Sequence, residues 1–214
     1  MRIGKVALGL AAALALGLAG SAQGTTLADL NGGQSLTVGG LTFSDFTITV
    51  NGAIDSNLAD YKVLTLSDGF RITGGIGVFD SEQGDMLVSY DVNAAAGSPA
   101  VNDIRLAFNG AATGVHSGAT VSEDLFGIPS GDPIASASVF QTGGGSSQKV
   151  DSATFDPQTS FSVEKDIFVK AGSAGFATIS FVDQHFSLVP EPGSLVLLSG
   201  GLTGLLVFGR KRKS

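Results

Sequence analysis

Apolar and polar residues alternate along several short segments of this chain. In the clearest segment, Phe161, Val163, Ile167 and Val169 form an apolar row, and Lys165 is the one charged member of that row. The same period of two recurs in three other segments: 46–50, 104–108 and 177–181. A period of two over four to eight residues predicts β-strands that bury one face. No long segment has the period of an amphipathic helix.

Turn-forming residues separate these segments. They cluster at five places: Asn51-Gly52, Ser67-Asp68-Gly69, Asn109-Gly110, residues 129–133 and Gly143-Gly144-Gly145. Many short strands joined by such turns predict an all-β fold, an antiparallel two-sheet sandwich of jelly-roll-like type. We assign the sandwich to residues 23–188 as one domain, which is long enough to bury a hydrophobic core without disulfides.

The N-terminal residues 1–22 have the pattern of a secretory signal peptide. Arg2 and Lys5 precede the uncharged run Val6–Ala19, and small residues follow that run. This order predicts export through the Sec translocon and cleavage between Ala22 and Gln23. The alternative is a retained membrane anchor, although the uncharged run is short for a membrane span.

A second apolar segment lies near the C-terminus. Residues 193–209 carry no charge, and as a helix they would reach roughly 25 Å, the lower limit for crossing a bilayer. Four basic residues follow directly: Arg210, Lys211, Arg212 and Lys213. Because basic clusters stay on the cytoplasmic side, this pattern predicts a transmembrane helix with its C-terminus inside and the sandwich outside. The alternative is a buried core helix.

A short proline motif stands just before this segment. Pro190 and Pro192 bracket Glu191, and proline holds both itself and the residue before it in extended geometry. The motif, the apolar segment and the basic end occur in that order over residues 189–214. This region resembles the PEP-CTERM sorting signal of Gram-negative bacteria. A sortase LPxTG motif is absent, and a glycolipid-anchor signal would not normally end in basic residues.

The resemblance implies a route to the cell surface. Proteins with this signal are held transiently in the inner membrane with their body in the periplasm. They are then thought to be processed near the motif by exosortase, a membrane protease, and delivered to the cell surface or beyond. Their genomes tend to encode extracellular polysaccharide and biofilm systems. The resemblance implies nothing about the activity of the sandwich.

Charge and cysteine content exclude several classes of function. All 19 acidic residues of the chain lie between Asp29 and Glu191, whereas only six of its 12 basic residues do. An acidic body without clustered Lys and Arg argues against a nucleic-acid partner. The chain has no cysteine, so disulfides, thiolate metal sites and cysteine nucleophiles are excluded.

Catalytic motifs are also missing. His116 and His185 have no metal-ligand spacing, and the chain has no nucleophile elbow and no phosphate-binding loop. The number of acidic residues does not exclude a carboxylate pair for glycoside cleavage. The chain has no tryptophan, however, and its only tyrosines are Tyr61 and Tyr90. We therefore expect no enzyme activity, no catalytic residue and no cofactor.

Calcium is the one ion that the sequence raises as a candidate. Asp80, Glu82 and Asp85 lie close together in sequence, and calcium prefers hard oxygen ligands. Their spacing is not that of an EF-hand loop, and the alternative is an exposed, solvated loop.

The resulting hypothesis is a non-enzymatic component of the cell envelope or biofilm matrix. The alternative is a carbohydrate-binding module of lectin type that acts in the extracellular polysaccharide layer. A third hypothesis, an envelope hydrolase, depends on a carboxylate pair that the sequence does not reveal.

Overall fold

The computed structural model describes residues 24–189, and they form two antiparallel β-sheets. The predicted signal peptide, with its predicted cleavage site between Ala22 and Gln23, lies outside these residues. So do the motif Pro190–Glu191–Pro192, the apolar segment 193–209 and the basic cluster 210–213. Within residues 24–189, no helix has both the length and the apolar character needed to cross a membrane.

Twelve strands make up most of the described chain. They are β1 (Leu36–Val38), β2 (Leu41–Gly52), β3 (Lys62–Thr65), β4 (Gly69–Phe79), β5 (Gln83–Ala94), β6 (Ala100–Thr113), β7 (Gly118–Gly127), β8 (Pro133–Thr142), β9 (Ser147–Gln148), β10 (Val150–Gln158), β11 (Ser160–Lys170) and β12 (Phe176–Val189). A short helix α1 (Leu27–Asn31) precedes them, and one 3-10 turn (Leu58–Asp60) lies before β3. Thr26 and Asp29 form a capping box at the start of α1.

The two sheets have seven and five strands. The order in the larger sheet is β1-β2-β5-β11-β7-β8-β9, and in the smaller sheet it is β10-β6-β12-β4-β3. β11 and β12, the last two strands of the described chain, are therefore the middle strands of the larger and the smaller sheet, and each has a hydrogen-bonded neighbour on both sides. This arrangement confirms the predicted antiparallel two-sheet sandwich.

The core lies between the sheets. Phe43 of the larger sheet meets Phe70 and Phe186 of the smaller one, with ring centroids 5.3 Å and 5.5 Å apart. Phe161 likewise contacts Phe186 at 5.9 Å. Because each large side chain that is fully buried contributes about 1.5–3 kcal/mol, this aromatic layer is a main source of stability.

The structure confirms most of the predicted strands. Segments 46–50, 104–108, 161–169 and 177–181 lie in β2, β6, β11 and β12. The predicted turn at Asn109-Gly110 is wrong, because β6 continues to Thr113 and stays paired with β12 through both residues. Gly110 leaves room for the ring of Phe108, which a side chain at Gly110 would overlap. The local Asn-Gly signal is overridden by this long-range pairing.

Candidate ligand-binding face

One surface of the smaller sheet combines charged groups from its three central strands. We call it the polar face, and it consists of Arg71 on β4, Arg105 on β6, and Phe181, Asp183 and His185 on β12. The strand register places these residues in three adjacent rows. Alternation turns them away from the core, because their neighbours along each strand are buried, except for the exposed Ser180 before Phe181.

Arg71 and Asp183 form the centre of this face. Nε of Arg71 donates to Oδ1 of Asp183 at 2.5 Å, and Nη2 donates to Oδ2 at 2.7 Å. The guanidinium also lies over the ring of Phe181, 3.9 Å from its centroid. Hydrogen bonding to Asp183 raises the pKa of Arg71 further above its ordinary value. Two parallel bonds and a stacked ring hold this guanidinium in one orientation.

His185 and Asp68 form a second pair at the end of the face. Nδ1 of His185 lies 2.7 Å from Oδ1 of Asp68, a residue of the β3–β4 turn. Partial burial would raise the pKa of Asp68, but the hydrogen bond and charge of His185 hold it below the ordinary value. The hydroxyl of Ser67 donates to this same carboxylate oxygen and not to the imidazole. The geometry therefore does not activate Ser67 as a nucleophile.

Apolar side chains border the central row on both sides. Leu64 on β3 lies beside Arg71, and Val150 on β10 lies beside Ala107, so one row runs Leu64, Arg71, Asp183, Ala107, Val150. Leu64 and Val150 are 46% and 45% exposed, which is high for large apolar residues. The row thus offers rigid hydrogen-bonding groups between two apolar patches.

The arginines give this face a charge unlike that of the rest of the body. Residues 24–189 contain only two arginines, and both are here. Arg105 is exposed and makes no ion pair within the described residues. Its guanidinium is therefore available to bind a carboxylate or a pair of hydroxyl groups with two parallel hydrogen bonds.

A cavity opens at the end of the face. It has a volume of about 360 Å³ and lies where β1, the β3–β4 turn and the end of β12 meet. Val38, Leu41 and Leu188 give it an apolar wall, and Ser67, Asp68 and Ser187 provide polar groups. Asp68 belongs to both the cavity and the pair with His185, so the cavity continues the polar face. Its size falls within the range of small-molecule sites.

The calcium candidates do not converge in the structure. Asp80 lies in the three-residue connection between β4 and β5, with a left-handed φ of 46°. Glu82 accepts a hydrogen bond from the backbone of Phe79 in this turn, and Asp85 lies on β5 and accepts from Asn51. Among residues 24–189, no group of three or more metal-ligating side chains is close enough to hold an ion. The calcium hypothesis thus gains no support from these positions.

The two histidines lie in different surroundings, and the two are not brought together. His116 is exposed in the β6–β7 turn with a left-handed φ of 66°, whereas His185 lies on β12 and is paired with Asp68. Sequence reasoning missed Arg71 and Asp183, which are 112 positions apart. The alternation of apolar and polar residues could have predicted that each of these side chains faces outward. Only the order of the strands in the sheet, however, brings the two side chains together.

No protein-family model matches this chain, and no curated protein matches it. Among solved structures, it is similar to the enzymatically active domain of bacteriophage CBA120 tailspike protein 4, with 13% identity and a TM-score of 0.34 over 66% of this chain and 19% of that one. It is similar to TmCBM61 in complex with β-1,4-galactotriose, with 14% identity and a TM-score of 0.33 over 65% and 88%. It is also similar to CsCBM6-3 from Clostridium stercorarium in complex with cellobiose, with 14% identity and a TM-score of 0.24 over 66% and 94%.

Proposed function

We propose that this chain is an exported, non-enzymatic protein that binds a saccharide of the extracellular polysaccharide layer through its polar face. The observation that carries the proposal is the row Leu64, Arg71, Asp183, Ala107, Val150, with exposed Arg105 in the next row. This row supports ligand binding because the fixed guanidinium of Arg71 and the fixed carboxylate of Asp183 lie between apolar side chains.

Sugar rings match this arrangement of groups. A pyranose presents hydroxyl groups around its edge and C–H groups on its faces, so it needs oriented hydrogen-bonding groups together with apolar contacts. Arg105 can donate two parallel hydrogen bonds to neighbouring hydroxyls or to the carboxylate of an acidic sugar. Leu64 and Val150 can contact the C–H faces. The polar face contributes no serine that an imidazole could activate, so binding without cleavage fits it better than hydrolysis.

Delivery to that layer is a part of the same proposal. The signal peptide would open the export route, and the PEP-CTERM-like segment would hold the chain at the inner membrane until an exosortase-type protease processes it near Pro190–Glu191–Pro192. The sandwich would then act at the cell surface or outside the cell. This part is supported by the sequence pattern at the two ends.

The binding proposal is tested with residues 23–189 on a glycan array that includes β-1,4-galactotriose and cellobiose, the saccharides held in two of the similar structures. We expect binding, and we expect Arg105→Ala to weaken it about tenfold or more, since a hydrogen bond from a charged group contributes about 1.5–3 kcal/mol. The matched control is Lys170→Ala, which removes an exposed positive charge from β11 in the other sheet and should leave binding unchanged.

Two results would contradict the proposal. Equal loss of binding in both variants would mean that the effect is one of overall charge and that the polar face is not the site. Absence of binding to any saccharide would favour the other hypothesis, a passive component of the envelope or biofilm matrix.

A further inference from the structure

A group of polar side chains lies in the middle of the otherwise apolar core. Lys165 on β11 and Glu123 on β7 are fully buried, and Gln184 on β12 is 1% exposed. Nζ of Lys165 lies 2.6 Å from Oε2 of Glu123 and 2.7 Å from Oε1 of Gln184. The amine of the larger sheet therefore contacts the carboxamide of the smaller sheet, and a carboxylate contacts the same amine.

The hydrogen-bonding capacity of the polar groups in this part of the core is not fully used. Oε1 of Glu123 and the hydroxyl of Tyr90 are buried without a hydrogen-bond partner, and they are the two such side-chain atoms in residues 24–189. Burial of charged and polar groups without partners costs free energy that apolar residues in these positions would not cost. A core built only for stability would therefore not need Lys165, Glu123 and Gln184 together.

The same surroundings favour the uncharged form of the Lys165 amine, which is the nucleophilic one. Burial lowers its pKa, although the charge and hydrogen bond of Glu123 oppose that change. Loss of a proton to Glu123 leaves Nζ with a free electron pair. The carbonyl carbon of Gln184 is one bond beyond the oxygen that Nζ already contacts. The side chains of Lys165 and Glu123 are closed to bulk solvent, which favours attack by the amine over hydrolysis.

We propose that Lys165 and Gln184 react within the folded chain to form an intramolecular isopeptide bond, with Glu123 as the group that transfers protons. In this step Nζ forms a bond to Cδ of Gln184, and the bond between Cδ and Nε2 breaks. Glu123 accepts two protons from Nζ in turn, one before and one after the attack, and passes both to the departing nitrogen, which leaves as ammonium. One primary amide becomes one secondary amide, so charge and electrons balance without an oxidant or reductant.

The bond would join the two sheets of the sandwich covalently. Lys165 and Gln184 are 19 residues apart in sequence but lie on strands of different sheets. The product closes a loop that contains the end of β11, the connecting segment and the first part of β12. A protein without cysteine would thereby gain a cross-link that reducing agents cannot break.

The test is mass spectrometry of the full chain, expressed with its own export signal and purified under denaturing conditions from every cell fraction. After digestion with trypsin, we expect the peptide that contains Lys165 to be joined to the peptide that contains Gln184. The joined mass should be lower than the sum of the two by one ammonia. Cleavage after Lys165 should be lost, whereas cleavage after the nearby Lys170 should proceed normally.

Glu123→Gln, which keeps the shape of the side chain, should yield only unlinked peptides that are cleaved after Lys165. Lys165→Met should also yield unlinked peptides, and circular dichroism of both variants checks that the strands still form. Unlinked Lys165 and Gln184 in the unsubstituted protein would overturn the proposal even if both variants fail to fold. A mass lower by one water, with Glu123 joined to Lys165, would overturn the assignment to Gln184. A bond that persists in Glu123→Gln would overturn the role of Glu123.

Discussion

Asp166 carries a charge that its surroundings disfavour. It lies on the outer face of β11, and Asp85 lies on the same face of the neighbouring strand β5. Partial burial, followed by the charge of Asp85, raises the pKa of Asp166 above its ordinary value. Because the folded-state pKa is the higher one, the folded protein loses stability as the pH rises through that pKa, and it carries no penalty where Asp166 is protonated in both states.

Asp166→Asn should therefore stabilise the protein at neutral pH but not in acid. We expect the free energy of unfolding to rise by up to about 1 kcal/mol near pH 7, a limit set by solvent screening of an exposed group. The gain should vanish near about pH 3, below the unfolded-state pKa. Urea unfolding at both pH values measures it. Asp156→Asn on the edge strand β10 is the control, and it should change the free energy of unfolding little at either pH. A gain for Asp166→Asn that is equal at the two pH values would contradict the electrostatic cause.

Sequence reasoning found the odd residue of the core but not its partners. The alternation of β11 already placed Lys165 in an apolar row, and the structure confirms that its side chain is buried. Glu123 holds the same place between Val121 and Leu125 on β7. Nothing local connects the two positions, because they are 42 residues apart and meet only through the β7–β11 register. The polar face was missed for the same reason.

At the scale of elements, the loop between β11 and β12 fixes one end of the sandwich. The amide of Gly172 donates to Oγ of Ser117 at 2.8 Å, and the carbonyl of Gly172 accepts from the amide of Ser81 at 3.1 Å. The loop thus connects to the β6–β7 turn and to the β4–β5 turn. A Cβ at Gly172 would overlap the carbonyl oxygen of Val115, so the backbones approach each other here as only glycine permits.

Gly172→Ala should therefore lower the free energy of unfolding by about 1–3 kcal/mol, since the β6–β7 turn must move to relieve the overlap. Gly144→Ala is the matched control. Its Cβ would have Thr142 Oγ1 as its nearest neighbour, at 3.9 Å, and it should cost less than about 0.5 kcal/mol. Urea unfolding of the two variants measures the difference. Equal stability of the two would show that the close approach at Gly172 does not constrain the loop.

The local pattern of apolar and polar residues predicted which strands exist better than it predicted where they end. Alternation identified β2, β6, β11 and β12 because each strand buries one face against the other sheet. It could not foresee that β6 passes through Asn109-Gly110, since the continuation depends on pairing with a strand that comes about 70 residues later. It also gave no sheet order, and the sheet order is what assembles the polar face.

At the scale of the whole molecule, the sandwich and the two ends carry separate parts of the proposed function. Residues 24–189 contain 18 acidic and six basic residues, a balance that favours solubility without naming a ligand. The sequence alone supports the proposal for the ends, because residues 1–23 and 190–214 lie outside the described structure.

Changing Pro190, Glu191 and Pro192 together to Ala should leave the chain uncleaved at the inner membrane. The change removes both the extended geometry and the carboxylate that a processing enzyme would recognise. Fractionation and immunoblotting of native cells measure the result, with Ser187→Ala, an exposed residue just upstream, as the control. Normal maturation of the triple variant would show that the motif is not a recognition element.

The positions of β11 and β12 have a consequence for the timing of the proposed export. β12 separates β4 from β6 in the smaller sheet, and β11 separates β5 from β7 in the larger one. A chain that emerges from a translocon with its N-terminus first delivers these two strands last. On the proposed export route, the larger sheet cannot close before β11 has arrived, and the smaller sheet cannot close before β12, which ends next to Pro190, has arrived. The complete sandwich would then form only when passage is nearly finished.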